Sequence, residues 1–368
     1  MSMKWELGPA MSLCLAQCQG QDNSDGYFQQ PRAVVPSNPT QMKAAIIQTG
    51  IFVAALSGTA LAQTTLHTTT TLVVVPTLVQ TAGKEPVFSL TAGDFLLTDN
   101  GVPQKVTLEE ETKRPLSLVV LMQTGGIARG QFSSYAGLET MLAGLLGGAP
   151  NKISVVNFDS QPEAASPFTS DVAQWREAID HPDQGDSGAA IFDGIAFGLE
   201  LLKKEPASNR RAILLISQER DDGSKTTMKE IVRNLGEANT AVYSITFSAE
   251  KTSARQAFKD PPHLNPPFMG SQAYFKLDAP LRLILGAMQK NLSAEVANLS
   301  GGESGSFDNK SEFDATLDRV SSHIHNSYIL SFQPTSADPG LHTIRVQLTH
   351  HPELIVSART SYWATDSK

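Results

Sequence analysis

"LVVLMQTGG", residues 118–126, is an unbroken apolar run that opens into a polar, glycine-bearing loop. A strand buried on both faces reads this way where a parallel sheet delivers the chain to its ligand-binding edge. Such an edge calls for a carboxylate, or for a backbone cradle around an anion. The first polar residue here is Gln123, followed by Thr124, Gly125 and Gly126. The loop has the position of a site without its charge.

Working outward, Leu116–Met122 is followed by further apolar runs at Ile153–Phe158, Ala212–Ile216 and Ala241–Phe247. Between them lie apolar residues at helical spacing. Phe132, Tyr135, Leu138, Leu142 and Leu145 predict a helix over 131–146, and Ile191, Ile195, Leu199 and Leu202 predict another. Met228, Ile231, Val232 and Leu235 make a third, and Leu281, Ile284, Leu285, Met288, Leu292, Val296 and Leu299 one long helix after Pro280. "KDPPHLNPPFMGS", 259–271, has four prolines and is expected to be a loop. Strands alternating with helices predict an α/β fold, a doubly wound, mostly parallel sheet with helices on both faces.

The flanks read as β structure. "TTTTLVVVPTLVQT", 68–81, is β-branched throughout, with Pro76 expected to keep its strand at an edge or end it. "DFLLTDNGVPQKVTLEE", 94–110, predicts a hairpin: out through Phe95–Thr98, a turn at Asn100-Gly101, back through Val106 and Leu108. After Gly301-Gly302 come a helix carrying Phe313, Leu317, Val320 and Ile324, then the strands "SYILSFQP", "HTIRVQLT" and "LIVSARTSYW". Neither flank alone has enough strands to bury two faces, so the two are expected to pair as a small β module. The expected divisions are a β segment at 63–113, the α/β domain at 114–300, and a helix with β strands at 301–368.

Residues 42–62, "MKAAIIQTGIFVAALSGTALA", have a basic residue, an apolar stretch and the small-x-small end Ala60-Leu61-Ala62, and are expected to be a secretory signal leaving Gln63 first. A buried helix and a membrane anchor are the alternatives, although the stretch is short against the roughly 20 residues of a bilayer span. Residues 1–41 lack periodicity, and the simplest account is disorder or a start assigned too early, with Met42 the initiator. Both cysteines, Cys14 and Cys18, lie there, so the processed chain would hold no disulfide, zinc–thiolate site or Cys nucleophile. A secreted or periplasmic location follows, with membrane contact only through export. The formal charge of -8, without a basic stripe, speaks against nucleic acid.

This order of features resembles a von Willebrand factor type A domain and, more narrowly, the exported VWFA-related proteins typical of acidobacteria. The stretches carrying the likeness are "FSLTAGDFLLTDNGVPQKV", "LSLVVLMQTGG" and the closing "NLSGGESGSF" to "VSARTSYW", covering nearly all of residues 70–364. The resemblance implies a divalent cation at the top of the sheet. It would be held by an Asp-x-Ser-x-Ser loop, a Thr before a later helix and an Asp after the fourth strand. On those positions this chain has Gln123, Gly125, Ile127, Ala189 and Gln218. All five ligands are replaced, and amide oxygens do not stand in for carboxylates toward Mg²⁺. The edge formed by these residues and Thr124 is therefore expected to be a degenerate, metal-free adhesion site. Glu219, Asp221, Asp222, Asp183 and Asp186 are the acids that could hold a relocated Ca²⁺, against the plainer reading of loop and capping acids. Asp193 is read as part of a polar helix face or as a capping partner rather than a ligand.

Other chemistry is thinly represented. His323 and His325, and His350 and His351, lack ligand spacing and are expected to be exposed. "GESGS", 302–306, is out of phase for a nucleophile elbow, and "LMQTGGIARG" lacks both phosphate-loop spacings. Arg129 is the one charge expected near the top edge. The chain is thus expected to bind an unknown protein or cell-surface ligand without cofactor or catalysis. The alternatives are an envelope assembly protein acting by strand addition through its β module, and an exported hydrolase with a site of unfamiliar pattern.

Overall fold

The computed structural model describes residues 72–109, 114–145, 151–249, 251–252, 279–335 and 338–365. The signal-like segment, the residues before it and the proline-rich loop lie outside them.

The opening stretch is the centre of the molecule. Strands β5 (Leu116–Gln123), β6 (Lys152–Phe158), β7 (Pro162–Thr169), β8 (Arg210–Gln218), β9 (Thr240–Phe247) and β10 (Ser304–Phe307) form one sheet in the order β10-β9-β8-β5-β6-β7. All neighbours are parallel except the edge strand β7, which runs antiparallel to β6. Every residue of β5 is buried, and its side chains alternate between two cores. Leu118, Val120 and Met122 face helices α1 (Leu138–Leu145), α2 (Val172–Asp180) and α7 (Lys310–Asn326) through Leu142, Trp175 and Leu317. Val119 and Leu121 face α3 (Ile191–Lys203), α4 (Met228–Glu237), α5 (Ala279–Lys290) and α6 (Leu292–Ser300) through Ile195, Leu235 and Val296. This is the doubly wound architecture expected.

Several elements depart from expectation. The helix expected over 131–146 is a 3₁₀ run, Gly126–Tyr135, followed by α1, with Gly137 at φ 96° separating them. The long helix after Pro280 breaks at Asn291, whose side chain accepts from the Ala294 amide and starts α6 afresh. Strand β7, helix α2 and strand β10 had no counterpart in the sequence reading. β7 carries two prolines and a mostly exposed pattern, and β10 is only four residues long.

The flanks do pair. β1 (Val73–Gln80) lies between β11 (Tyr328–Phe332) and β13 (Ile355–Ala358), with β4 (Thr107–Glu109) beyond β11. β2 (Phe95–Asp99) lies between β3 (Val102–Gln104) and β12 (Gly340–Leu348), with β14 (Ser361–Ala364) beyond β12. Val75, Leu97, Leu330, Phe332, Ile344 and Tyr362 make the shared core of these two sheets. Asn100 and Gly101 turn at φ 48° and 85°, as the hairpin signal requires. The return strand stops at Gln104, however, and Leu108 belongs to the other sheet. "LIVSARTSYW" is likewise two strands, β13 and β14, that join different sheets. Pro76 neither ends β1 nor sits at an edge. Pairing with β13 begins only at Thr77, so the missing N–H falls just past the end of that ladder.

The break between β13 and β14 is Arg359, which is 2 % exposed. Its guanidinium donates to Ser361 O (2.7 Å), Val74 O (3.0 Å), Asn239 Oδ1 (3.1 Å), Gly236 O (2.7 Å) and Leu235 O (3.4 Å). Burial pulls it down to about 10, so it remains charged at neutral pH. Gly236 is needed at this joint, because a Cβ there would lie 2.7 Å from the Trp363 backbone nitrogen. The β module is thereby fixed at the N-terminal ends of the parallel strands, opposite Gln123. Replacing Arg359 with Met leaves several carbonyls unpaired, so R359M should cost about 3–5 kcal/mol in urea unfolding. A loss below about 0.5 kcal/mol, the scale of ordinary surface changes, would refute this account of the joint.

Candidate functional site

The C-terminal ends of β5 and β8 bring Gln123 and Gln218 together. Gln123 is fully buried. Its Oε1 accepts from the Gln218 amide (2.8 Å), and its Nε2 donates to Gln218 Oε1 (3.2 Å) and Gly125 O (3.2 Å). Gln218 Nε2 donates onward to Arg220 O (2.8 Å). The two amides form a closed link between adjacent strands, with every polar atom of both occupied.

The loops above are tied as tightly. Thr124 N–H donates to Phe158 O (2.8 Å) and Gly126 N–H to Asp186 O (2.7 Å). A Cβ on Gly125 would stand 2.3 Å from Gly188 O, so only glycine lets these loops cross. Ala189 exchanges both backbone hydrogen bonds with Asp222 (3.0 and 2.9 Å). Arg129 reaches Gly185 O (2.8 Å). It is not the only charge here: Asp159 accepts from the Asp186 and Gln161 amides, each at 2.9 Å. Ile127 is partly buried against the core beneath.

The acids considered for a relocated cation are mostly spent on backbone. Asp186 accepts from Ser160 N (3.1 Å) and Gly188 N (2.8 Å), and the Ser160 hydroxyl, followed by these backbone bonds, holds its carboxyl below the ordinary value. Asp221 accepts from Phe192 N (3.0 Å) at the start of α3 and from Ser224 Oγ (2.5 Å). Burial pushes its carboxyl up despite those bonds. Asp193 reaches the other way, to Lys225 N (2.9 Å) and Thr226 N (2.7 Å). Glu219 is partly buried, and Asp183 and Asp222 have exposed side chains. Among the described residues no group of three or more His, Cys, Asp or Glu is placed to hold a metal ion. The donor chemistry agrees, since a hard cation needs oxygen ligands that Ala189 and Gly125 do not carry on their side chains and Gln123 has committed.

Two buried histidines were missed by the sequence reading. His323 is buried rather than exposed, its Nδ1 3.2 Å from Glu303 Oε2, while Arg319 binds the other oxygen at 2.5 Å. His342 joins β2, β12 and β14: its Nδ1 lies 2.8 Å from Asp99 Oδ1 and 3.0 Å from Tyr362 Oη, which donates to Asp99 Oδ2 (2.7 Å). His342 Nε2 meets Asp338 O (2.7 Å), and His323 Nε2 has no hydrogen-bond partner. Neither pair presents a serine to its second ring nitrogen. His325, His350 and His351 are exposed as expected. The signal that could have found His323 is its phase, three residues after Val320 on the face of α7 that also carries Leu317 and Ile324.

Residues 121–224 match the family model of the von Willebrand factor type A domain. Among solved structures, the chain is similar to an aerotolerance-related membrane protein from Bacteroides fragilis. The identity is 14%, the match covers 56% of this chain and 98% of that one, and the TM-score is 0.36. It is also similar to the conserved hypothetical protein BatB from Bacteroides thetaiotaomicron (15%, 57% and 98%, TM-score 0.34). A third likeness is to the VWA domain of SpRpn10 (16%, 40% and 81%, TM-score 0.30). No curated protein matches the chain.

Asp193 offers a test of the loop architecture. Burial raises its carboxyl, but the Lys225 and Thr226 amides outweigh this and hold it below the ordinary value. A lowered carboxylate stabilises the fold above its unfolded pKa, and that contribution is lost as pH falls through the folded one. Asn keeps one acceptor of two, so D193N should cost about 1–2 kcal/mol at pH 7. The gap from wild type in urea unfolding should close below about pH 4. A gap unchanged at low pH would contradict the assignment.

Proposed function

We propose that this chain is an exported, non-catalytic binding protein of the VWFA-related kind, which engages another protein or a cell-surface ligand through the top edge of its central sheet without a metal. The observation that carries the reading is the Gln123–Gln218 link, which fills the place of two acidic ligands with paired amides. The rim above it, with Arg129, Arg220, Asp183 and Asp222, is polar and of mixed charge, suited to recognition by hydrogen bonds and exposed ion pairs. A hydrolase is the less favoured reading, because the buried His323 and His342 have carboxylate partners but no serine or cysteine facing them.

A ligand that binds only the folded state at a hundredfold excess over its Kd stabilises it by about 2.7 kcal/mol. Millimolar Mg²⁺, Mn²⁺ or Ca²⁺, against an EDTA control, should therefore leave the melting temperature unchanged. An ion-dependent rise would overturn the metal-free reading. Capture from the source envelope fraction should persist in EDTA and be lost when Arg129→Glu and Asp222→Arg are combined. Retention by that variant would remove the top edge from the proposal.

Export rests on the sequence of residues 42–62. Among the described residues no helix is long and apolar enough to cross a membrane. A chain begun at Met42 should be processed in its own cells, and N-terminal sequencing of the product should start at Gln63. A product that keeps Cys14 and Cys18 would refute both the start and the cleavage.

A further inference from the structure

The N-terminal ends of β5, β8 and β9 meet the β module around a cavity of about 150 Å³. A cavity of this size holds a benzene-sized molecule. Val74 and Ile329 wall it on the side of the β module, and Leu116 and Ile324 on the side of the α/β domain. Leu116 is 5% exposed and Ile329 7%, so these walls are dry. Ala207, in the turn before β8, is exposed, and Arg114 is partly so, which puts the mouth of the cavity at these two residues.

Charge along this cavity has one sign. Arg114, Arg210 and Arg211 line it, and no aspartate or glutamate does. Part of each guanidinium is spent on the fold. Arg114 donates from Nε to Ser208 O (2.8 Å) and from Nη1 to Glu109, just outside the lining (2.7 Å). Arg210 Nη2 donates to Ile324 O, and Arg211 Nη2 to Glu205 O (2.8 Å). The rest is unspent. Arg114 Nη2 has no partner among the described residues, and the buried Arg211 Nε has no hydrogen-bond partner either. Asn239, also in the lining, accepts at Oδ1 from Arg359 Nη1 (3.1 Å), which adds a further cation behind it. A buried donor without an acceptor is costly, and more so when it carries charge.

We propose that this cavity binds a small organic carboxylate, its charged end among the arginines and its apolar body against Val74, Leu116 and Ile329. A guanidinium matches a carboxylate because its planar fork of N–H donors meets both oxygens. Inorganic phosphate would meet the arginines but gain nothing from the apolar walls. A neutral molecule of the same shape would fill the walls and leave the cationic donors without an anion. Because the walls come from both bodies, such a ligand binds only the folded, joined chain and stabilises it. Strand β5 runs from Leu116 at this cavity to Gln123 at its other end, so the inference stands apart from the top-edge reading.

The test uses the full chain and benzoate as the probe, titrated by calorimetry and followed by melting temperature. Saturable binding at one site is expected, with a rise in melting temperature. Benzamide, the uncharged analogue, and inorganic phosphate should each bind about tenfold more weakly or worse. Arg114→Gln should weaken benzoate by a similar factor. Ala207→Phe, at the exposed mouth, should block it while leaving the melting temperature of the ligand-free chain unchanged. The Arg129→Glu variant should bind benzoate as wild type does. Absence of saturable binding, equal affinity for benzamide or phosphate, or undiminished affinity in Arg114→Gln or Ala207→Phe would each overturn the proposal.

Discussion

The guanidinium of Arg359 holds two differently built bodies to one another. One is a sheet wound with helices, the other a sandwich assembled from the chain's two flanks. A buried cation ordinarily costs several kcal/mol unless its donors are met. Here the partners include Gly236 and Leu235 carbonyls in the last turn of α4, where the helix dipole is negative, and Val74 O and Ser361 O of the β module. A lysine could not span this set, because its three donors do not lie in a planar fork. The joint also explains why the last strand run is broken: the backbone must leave one sheet and enter the other at the residue whose side chain is buried between them.

The four inner strands of the central sheet were legible because they are buried on both faces, and apolar runs so short, opening into polar, turn-forming residues, read as strands rather than helices. What the sequence concealed was structure that does not announce itself by hydrophobicity. The edge strand β7, "PEAASPFT", is held by pairing to β6 and buries little. The assignment of flanking strands to two sheets was hidden for a different reason. Alternation specifies which face is apolar but not which neighbour is paired, so Leu108 and Val106 read as the return of a hairpin although only Val102–Gln104 returns.

At the top edge, the presence of amides at Gln123 and Gln218, where a sheet edge of this kind calls for a carboxylate, was readable residue by residue, yet its structural meaning was not. Gln123 could have been a solvated loop residue. Its burial follows from register: Met122 pairs with Ile216 on β8, so the next residue of β5 comes level with the end of that strand, beside Gln218. An amide is self-complementary, donor on one side and acceptor on the other, whereas two carboxylates at the same places would repel without a cation between them. Two amides at these places therefore make an arrangement that closes by itself. Asp221 and Asp193, each capping the other's loop, extend the same logic to the rest of the rim.

That closure sharpens the contrast with the other end of the molecule. Unpaired strand edges invite association, and proteins blunt them with proline, charge, brevity or a covering element. The described edges follow the rule with one exception. β7 has Pro162 and Pro167, β3 has Pro103, β4 ends in Glu109, β10 is short, and β14 is covered by α4 through Trp363 at Gly236. β13, "IVSA", is as short as β10, but it has no proline and no charge and leaves Ile355 half exposed. Backbone groups at the top edge are satisfied within the chain, where the Gly126, Ala189 and Asp222 amides each donate to a carbonyl of a neighbouring loop.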